Sequence, residues 1–288
     1  MKEIKGMVSV LIPCYNHEKY IADCLNSILA QTYRQFEVIV CDDCSADQTV
    51  AVARKQKEQF DEKGIPFLLM ESQKNQGITK NINRMLKEAS GEFIKIIASD
   101  DMLTDTYLTE MVLLLEEDPS LNMIFSNGYR VMEQAVYPVE EKYILEPIMD
   151  TIPDCKNNMF ERIYNLNFIP APTLLIRRCV LTEVGGYDET IGIEDWEMLL
   201  RLLQKYPEGV GACERNLVYY RVNSNSISST VSNPGAWKRI RFMHSNSAAI
   251  IKKYKNQVPR RVYHRRIWSL HKEYLIIRLI AFVKRLKV

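Results

Sequence analysis

Short apolar runs alternate with amphipathic stretches of about a dozen residues through the first hundred positions, and this alternation narrows the fold more than any other feature. Val8-Ser-Val-Leu-Ile12, ended by Pro13, reads as a buried strand. Phe36–Val40, Pro66–Met70 and Phe93–Ile97 read as the second, third and fourth. Between them, Ile21–Gln31 carries Ile21, Cys24, Leu25, Ile28 and Leu29 at helical spacing. Ser45 and Gln48 fit a capping box before a helix over Thr49–Phe60, and Ile78–Ala89 reads as a helix closed by Gly91. Strands separated by helices of this length predict an α/β domain with a mainly parallel sheet and helices on both faces. Ligands in such sheets bind beyond the carboxyl ends of the strands. The loops Pro13–Glu18, Cys41–Asp47, Glu71–Gly77 and Ala98–Thr104 therefore matter most.

The second half is less regular. Helices are expected at Thr106–Glu116 and from Trp196 to Gln204, and strands at Met123–Ser126, Tyr129–Met132 and Thr173–Ile176. Gln134–Pro153, with three prolines and no period, reads as a long loop. After Pro234 the composition shifts. Residues 236–288 hold 15 Lys/Arg and one acid, Glu273, a net +14, while residues 1–235 carry −12. We place a boundary there: 1–234 as the main unit, divided at 104/105, and 235–288 as a basic helical extension.

Hydrophobic residues at 47% and charged residues at 26% are ordinary for a globular chain. The seven cysteines follow no framework and read as reduced, mostly buried thiols of a cytoplasmic protein. Cys41 and Cys44 form a lone C-x-x-C with no second pair of ligands, which argues against zinc. No signal peptide is expected, and no stretch reaches the roughly 18 apolar residues of a spanning helix.

Acids cluster where ligands should bind. Asp42 and Asp43 follow the second strand and Asp100 and Asp101 the fourth, so up to four carboxylates could face one cleft. Such a cluster repels itself unless a cation lies within it, and hard oxygen ligands favour Mg²⁺ or Mn²⁺. Asp42 alone reads as a cap. The first strand-to-helix turn, Pro13-Cys-Tyr-Asn-His-Glu18, has no glycine, which excludes a glycine-rich dinucleotide loop and a P-loop. A diphosphate here needs another clamp, and a metal on Asp101 would supply one.

Several motifs in order resemble the family 2 glycosyltransferases. Val8-Ser-Val-Leu-Ile-Pro-Cys-Tyr-Asn16 is similar to the family's first strand and uracil-binding turn, and Ser27-Ile-Leu-Ala-Gln-Thr32 to the following helix. Val40-Cys-Asp-Asp-Cys-Ser45 resembles the second strand with its paired Asp. Asn75-Gln-Gly77 through Asn83, then Ala89-Ser-Gly-Glu92, resembles the stretch before strand four. Ala98-Ser-Asp-Asp101 is similar to the metal motif, and Gly185-Gly-Tyr-Asp188 and Glu194-Asp-Trp196 to acceptor-side motifs. The resemblance spans about Met7 to Ser228 and implies that 1–234 is a catalytic domain, with 1–104 its nucleotide-binding half and 105–234 its acceptor half.

It implies a GT-A fold, Rossmann-like, and an inverting, metal-dependent transfer from a UDP-sugar to a saccharide or lipid-linked acceptor in bacterial cell-surface polysaccharide synthesis. By resemblance, Pro13 belongs to the donor turn, and Tyr15 and Asp43 hold uracil by stacking and hydrogen bonding. Glu18 and Lys80 are lesser candidates at the nucleoside end. Asp100 meets the ribose or sugar, Asp101 binds Mn²⁺ or Mg²⁺, and Asp195 is the general base. Glu194 and Trp196 adjoin that base; alternatively Glu194 and Asp195 simply favour a helix dipole. Departures are Ala98 where the family often has Asp, and Asn223 where many relatives place His after Tyr220-Arg-Val. No Q-x-x-R-W motif follows Glu194-Asp195, so one sugar per acceptor is expected. The alternatives are a catalytically inactive binding module of the same fold and an enzyme that makes the activated sugar; the glycine-free first turn argues against the latter.

In the tail, Tyr274–Val288 reads as a basic amphipathic helix. It suits an anionic membrane surface, peripherally on the inner face, or packing on the protein or a second subunit. Nucleic-acid binding is not expected, for want of a recognised module. The sequence leaves the oligomeric state open.

Overall fold

A computed structural model describes residues 3–155, 157–222 and 236–285. The chain runs β1 (Ile4–Cys14), α1 (Ile21–Leu29), β2 (Phe36–Asp42), α2 (Thr49–Glu62), β3 (Phe67–Glu71), α3 (Ile78–Glu88) and β4 (Gly91–Ile96). There follow β5 (Met102–Leu103), α4 (Tyr107–Glu117), β6 (Met123–Met132), β7 (Ile144–Pro147), α5 (Met159–Asn165), β8 (Leu174–Arg177), α6 (Arg178–Glu183), α7 (Glu194–Lys205), β9 (Val210–Val222), α8 (Ala236–Lys253) and α9 (Arg260–Arg285).

One sheet runs β3-β2-β1-β4-β8-β6-β9-β5, with β7 added on β6. The first four strands are parallel, as their alternation with helices requires. β8 then enters antiparallel to both β4 and β6, while β6 and β9 pair in parallel. The two-sided burial of β1 explains its largely apolar run, in which Ser9 is buried and hydrogen-bonded to Glu37 and the Gly91 N–H. Val8, Val10 and Ile12 face α1, α2 and α4, while Leu11 faces α3 and the C-terminal helices.

Several local expectations are corrected. The capping box does not form: Ser45 turns back to Asp42, and Asp47 accepts the Thr49 N–H at 2.9 Å. Gly91 does not close a helix; it opens β4, where a Cβ would lie 2.6 Å from the Met7 carbonyl oxygen. The two strands expected around Asn127 are one, β6, bent where its register against β9 shifts at Asn127 and Gly128. The expected loop after Gln134 contains a helical turn at Glu141–Tyr143 and β7.

The tail helix begins at Arg260, well before Tyr274. Ile250, Ile251, Tyr254, Val258, Val262 and Leu270 are buried in one core with Trp196, Met198 and Leu199 of α7. Burying each such side chain contributes about 1.5–3 kcal/mol, enough to hold α8 and the first half of α9 against the domain. Polar bonds reinforce the contact. Lys253 Nζ donates to Asp188 (2.7 Å) and Glu197 (2.6 Å), and Tyr254 Oη donates to Glu197 (2.8 Å).

Candidate active site

β1 lies between β2 and β4, so three strand ends open side by side. The turn after β1 is braced from both neighbours. Asn16 takes the left-handed conformation, φ 54°, and its N–H donates to Ser45 Oγ at 2.9 Å. His17 donates its N–H to Thr49 Oγ1 at 2.8 Å, and its Nδ1 lies 2.7 Å from Ser99 Oγ. Glu18 accepts the Gln48 N–H at 2.9 Å, so its carboxylate joins the β1 and β2 turns. Tyr15 is 46% exposed, which leaves a ring face open for stacking.

Asp43, directly after β2, is buried against the loop that leads into α3. Its two oxygens accept the N–H groups of Gln76 (2.7 Å) and Gly77 (2.9 Å). That fixes the carboxylate plane and leaves each oxygen a further lone pair. Lys80 is exposed in the first turn of α3, just beyond.

The four acids do not gather. Asp42 bonds within its own loop to Ser45, Asp43 faces α3, and Asp100 and Asp101 lie across β1. Among the described residues no group of three His, Cys, Asp or Glu is arranged to hold a metal. The C-x-x-C likewise fails as a pair: Cys41 is buried beside Asn81 while Cys44 is exposed.

Asp101 is 2% exposed, and its Oδ1 accepts the backbone N–H of Arg221 at 2.9 Å. Burial, then the charge of Asp100, raises its pKa well above the usual carboxylate value; the Arg221 N–H, the Arg221 charge and Lys95 oppose the rise. Asp101 thus uses one oxygen internally, and with Asp100 offers hard carboxylate donors at one strand end. This set fits a hydrated Mg²⁺ or Mn²⁺ arriving with a diphosphate, which takes one or two protein carboxylates, rather than a preformed cage.

Arg221 organises this side, and sequence reasoning passed over it as part of Tyr220-Arg-Val. It is buried on β9. Its Nε donates to the Asp100 carbonyl (2.8 Å), its Nη1 to the carbonyls of Glu133 (2.6 Å) and Ala135, and its Nη2 approaches Asp23 at 3.3 Å. The guanidinium lies 5.0 Å over the Tyr20 ring. Beneath it Lys95 is fully buried, donates to the Pro172 carbonyl and sits 4.0 Å from the centre of the Tyr107 ring.

The opposite wall comes from the first turn of α7. Glu194 and Asp195 line one recess with Pro13, Ala98, Pro172 and Tyr187. Asp195 Oδ2 accepts from Asn167 Nδ2 (3.0 Å) and Oδ1 from the Trp196 N–H (2.7 Å). Burial raises the pKa of both acids; for Glu194 the Asp195 charge adds to it, while for Asp195 the Trp196 and Asn167 bonds pull back. Trp196 itself is closed to ligands: it is buried, and Nε1 donates to the Ile163 carbonyl at 2.7 Å. Asn223 lies outside the described residues.

A parallel sheet half whose strand-end turns share one recess with an acidic helix start fits the GT-A fold. Residues 9–185 match the sequence profile of glycosyl transferase family 2. The chain belongs to that family and is a glycosyltransferase. It is 30% identical over 232 residues to the putative teichuronic acid biosynthesis glycosyltransferase TuaG of Bacillus subtilis, covering 80% of this chain and 84% of TuaG. It is 26% identical over 224 residues to the Escherichia coli UDP-Glc:alpha-D-GlcNAc-diphosphoundecaprenol beta-1,3-glucosyltransferase WfaP, covering 77% of this chain and 80% of WfaP. Among solved structures, Staphylococcus aureus TarS 1-349 with UDP-GlcNAc aligns at a TM-score of 0.63 and 22% identity, over 94% of this chain and 71% of that one. The mannosyltransferase PcManGT of Pyrobaculum calidifontis, with GDP-Man and Mn²⁺, aligns at 0.66 and 17%, over 98% and 75%.

Proposed function

We propose that the chain transfers one hexose or N-acetylhexosamine from a UDP-sugar to a hydroxyl of a saccharide or lipid-linked saccharide, with inversion, in cell-surface polysaccharide synthesis. One observation carries the reading: Pro13 and Ala98, at the ends of donor-side strands, share a recess with Glu194 and Asp195, about a hundred residues further along the chain. A donor lying over β1 meets an acceptor lying against α7 there. The names of WfaP and of the TarS complex favour UDP among nucleotides.

Tyr15 stacks on uracil and Asp43, held flat by two amides, accepts from its ring N–H. Lys80 and Glu18 flank the nucleoside, and Asp100 meets the ribose or sugar. Asp101, with Asp100 beside it, would hold Mn²⁺ or Mg²⁺, which when bound neutralises the leaving diphosphate. Asp195 takes the acceptor hydroxyl's proton. Its raised pKa makes it a stronger base than a solvated aspartate, and Asn167 and the Trp196 N–H fix its orientation. Attack from the α7 side, opposite the diphosphate, inverts the anomeric carbon in a single displacement.

Mixing the purified chain with UDP-glucose, UDP-galactose, UDP-GlcNAc, UDP-GalNAc and GDP-mannose, with Mn²⁺ or with EDTA, tests this. Slow metal-dependent release of UDP from one donor is expected, with nucleotide binding followed by calorimetry. Absence of nucleotide binding under every metal condition overturns the donor assignment.

We also propose peripheral attachment to the inner face of an anionic membrane through α9. Trp268, Lys272, Leu275 and Ile276 fall on one face at 100° per residue, and Trp268 and Leu275 are 64% and 60% exposed. Among the described residues no helix is long and apolar enough to cross a membrane. Co-sedimentation with phosphatidylglycerol but not phosphatidylcholine vesicles is expected, and equal sedimentation with both refutes the anionic preference.

A further inference from the structure

A second cavity of about 610 Å³ opens behind the proposed base, between the end of α5 and the middle of α9. Arg162, Arg265, Arg266, Asn165, Phe168 and Ser269 line it. Its one acid, Glu273, accepts a hydrogen bond from Ser269 Oγ at 2.8 Å. The three guanidiniums bond only to neutral groups among the described residues. Arg162 donates to the Asp154 carbonyl, and Arg265 reaches Asn165 Oδ1 at 3.4 Å. Arg266 lies 5.6 Å over the Trp196 ring, and its Nε is buried with no hydrogen-bond partner. A buried donor left unsatisfied is costly, and an anion bound in the groove relieves that cost. Burial also pulls the pKa of Arg266 below the ordinary arginine value, and the charge of Glu273 offsets this only in part.

The position says whose anion this is. Phe168 of the groove adjoins Asn167, whose amide holds Asp195. Arg266 stacks on Trp196, the residue after Asp195. The groove therefore meets the acceptor wall of the recess from behind, on the side away from the donor turns of β1, β2 and β4.

We infer that this groove binds the phosphate or diphosphate of the acceptor and so brings the acceptor hydroxyl to Asp195. Planar guanidinium forks match phosphate oxygens in pairs, which a single lysine could not do. The inference rests on Asp195 as the base, but the anion site can be tested separately.

Inorganic pyrophosphate, in EDTA, is the probe, measured by calorimetry on the full chain with and without saturating UDP. Binding that UDP does not displace is expected. Arg265→Ala and the pair Arg162→Ala/Arg265→Ala should weaken it about tenfold for each guanidinium lost, with UDP affinity unchanged as the control for folding. Displacement of pyrophosphate by UDP, or unchanged affinity in the double variant, overturns the site. A second arm uses phosphatidylglycerol vesicles. Vesicle binding should survive in the double variant within about twofold; its loss with pyrophosphate affinity intact makes a lipid headgroup the ligand and overturns the acceptor assignment. If no nucleotide sugar is bound or cleaved while arginine-dependent pyrophosphate binding persists, the donor reading fails and the anion site stands.

Discussion

Replacing Arg221 by Met removes a charge from the most connected buried side chain near the site while keeping much of its volume. Three hydrogen bonds from the guanidinium to the carbonyls of Asp100, Glu133 and Ala135 are lost, and all three acceptors are left facing an apolar chain. At about 1.5 kcal/mol for each charge-assisted bond, the three together amount to about 4–5 kcal/mol. The Asp23 contact, at 3.3 Å and partly solvated, adds little. The backbone N–H of residue 221 still reaches Asp101, so that carboxylate keeps its anchor while the Asp100 backbone carbonyl loses the Nε bond. Urea unfolding at neutral pH should therefore show a loss of about 4–5 kcal/mol, a large share of a typical domain's stability. Arg221→Lys, with one compact ammonium for a fork, should lose about half as much. Binding of UDP with Mn²⁺ should weaken in both variants under conditions where they remain folded. A stability loss below about 1 kcal/mol in Arg221→Met, with UDP affinity unchanged, would refute the role given to the guanidinium.

Four further outcomes follow from the α7 wall. Asp195→Asn should lower turnover by about 10²–10⁴-fold with UDP affinity unchanged, measured as donor consumption and calorimetric binding; comparable loss of UDP binding contradicts a role confined to proton transfer. Because the Asp195 pKa is raised, the base form is lost as pH falls, so kcat/KM should climb with pH to a plateau reached above the range of an exposed aspartate. Asn167→Ala removes a bond that favours the carboxylate and should push that limb still higher; a drop in kcat with an unmoved limb argues against it. Tyr254→Phe deletes the hydroxyl bonded to buried Glu197 and should cost about 1–2 kcal/mol in denaturant melts, against no loss if Lys253 and Arg201 satisfy Glu197 alone.

The parallel half of the fold was legible because both faces of its strands are covered. Val8, Val10 and Ile12 on one side and Leu11 on the other leave no polar alternation to misread. The errors lie where a residue answers to a distant neighbour. Asn127-Gly128 looks like a break, but Gly128 is there because the Val218 carbonyl would stand 2.5 Å from a Cβ. Gly91 similarly makes room for the backbone of β1. Ser45 could cap α2, yet Asp42 outcompetes the helix for it. At the site, motif order singles out Asp43, Asp101 and Asp195 as candidates, and the structure brings Pro13 and Ala98 into one recess with Asp195. It could not find Arg221, whose carbonyl partners lie on two separate segments, nor Asn167, an ordinary loop asparagine until α7 is set beside it. The charge of the tail was plain, but its inward face was not: Ile250, Tyr254 and Val262 are spaced along two helices whose angle only the packing sets.

The burial of α8 and α9 against α7 ties the inheritance of the tail to that of the acceptor wall. Trp196, next to Asp195, has its ring under Arg266, and Glu197 is shared by Lys253 and Tyr254. A recombination joint placed between β9 and α8 would therefore hand a recipient domain a foreign support for its own proposed base. Exchanges that keep α7 and the tail together carry a matched pair, and shuffling among relatives should succeed at joints before α7 more often than at joints after it.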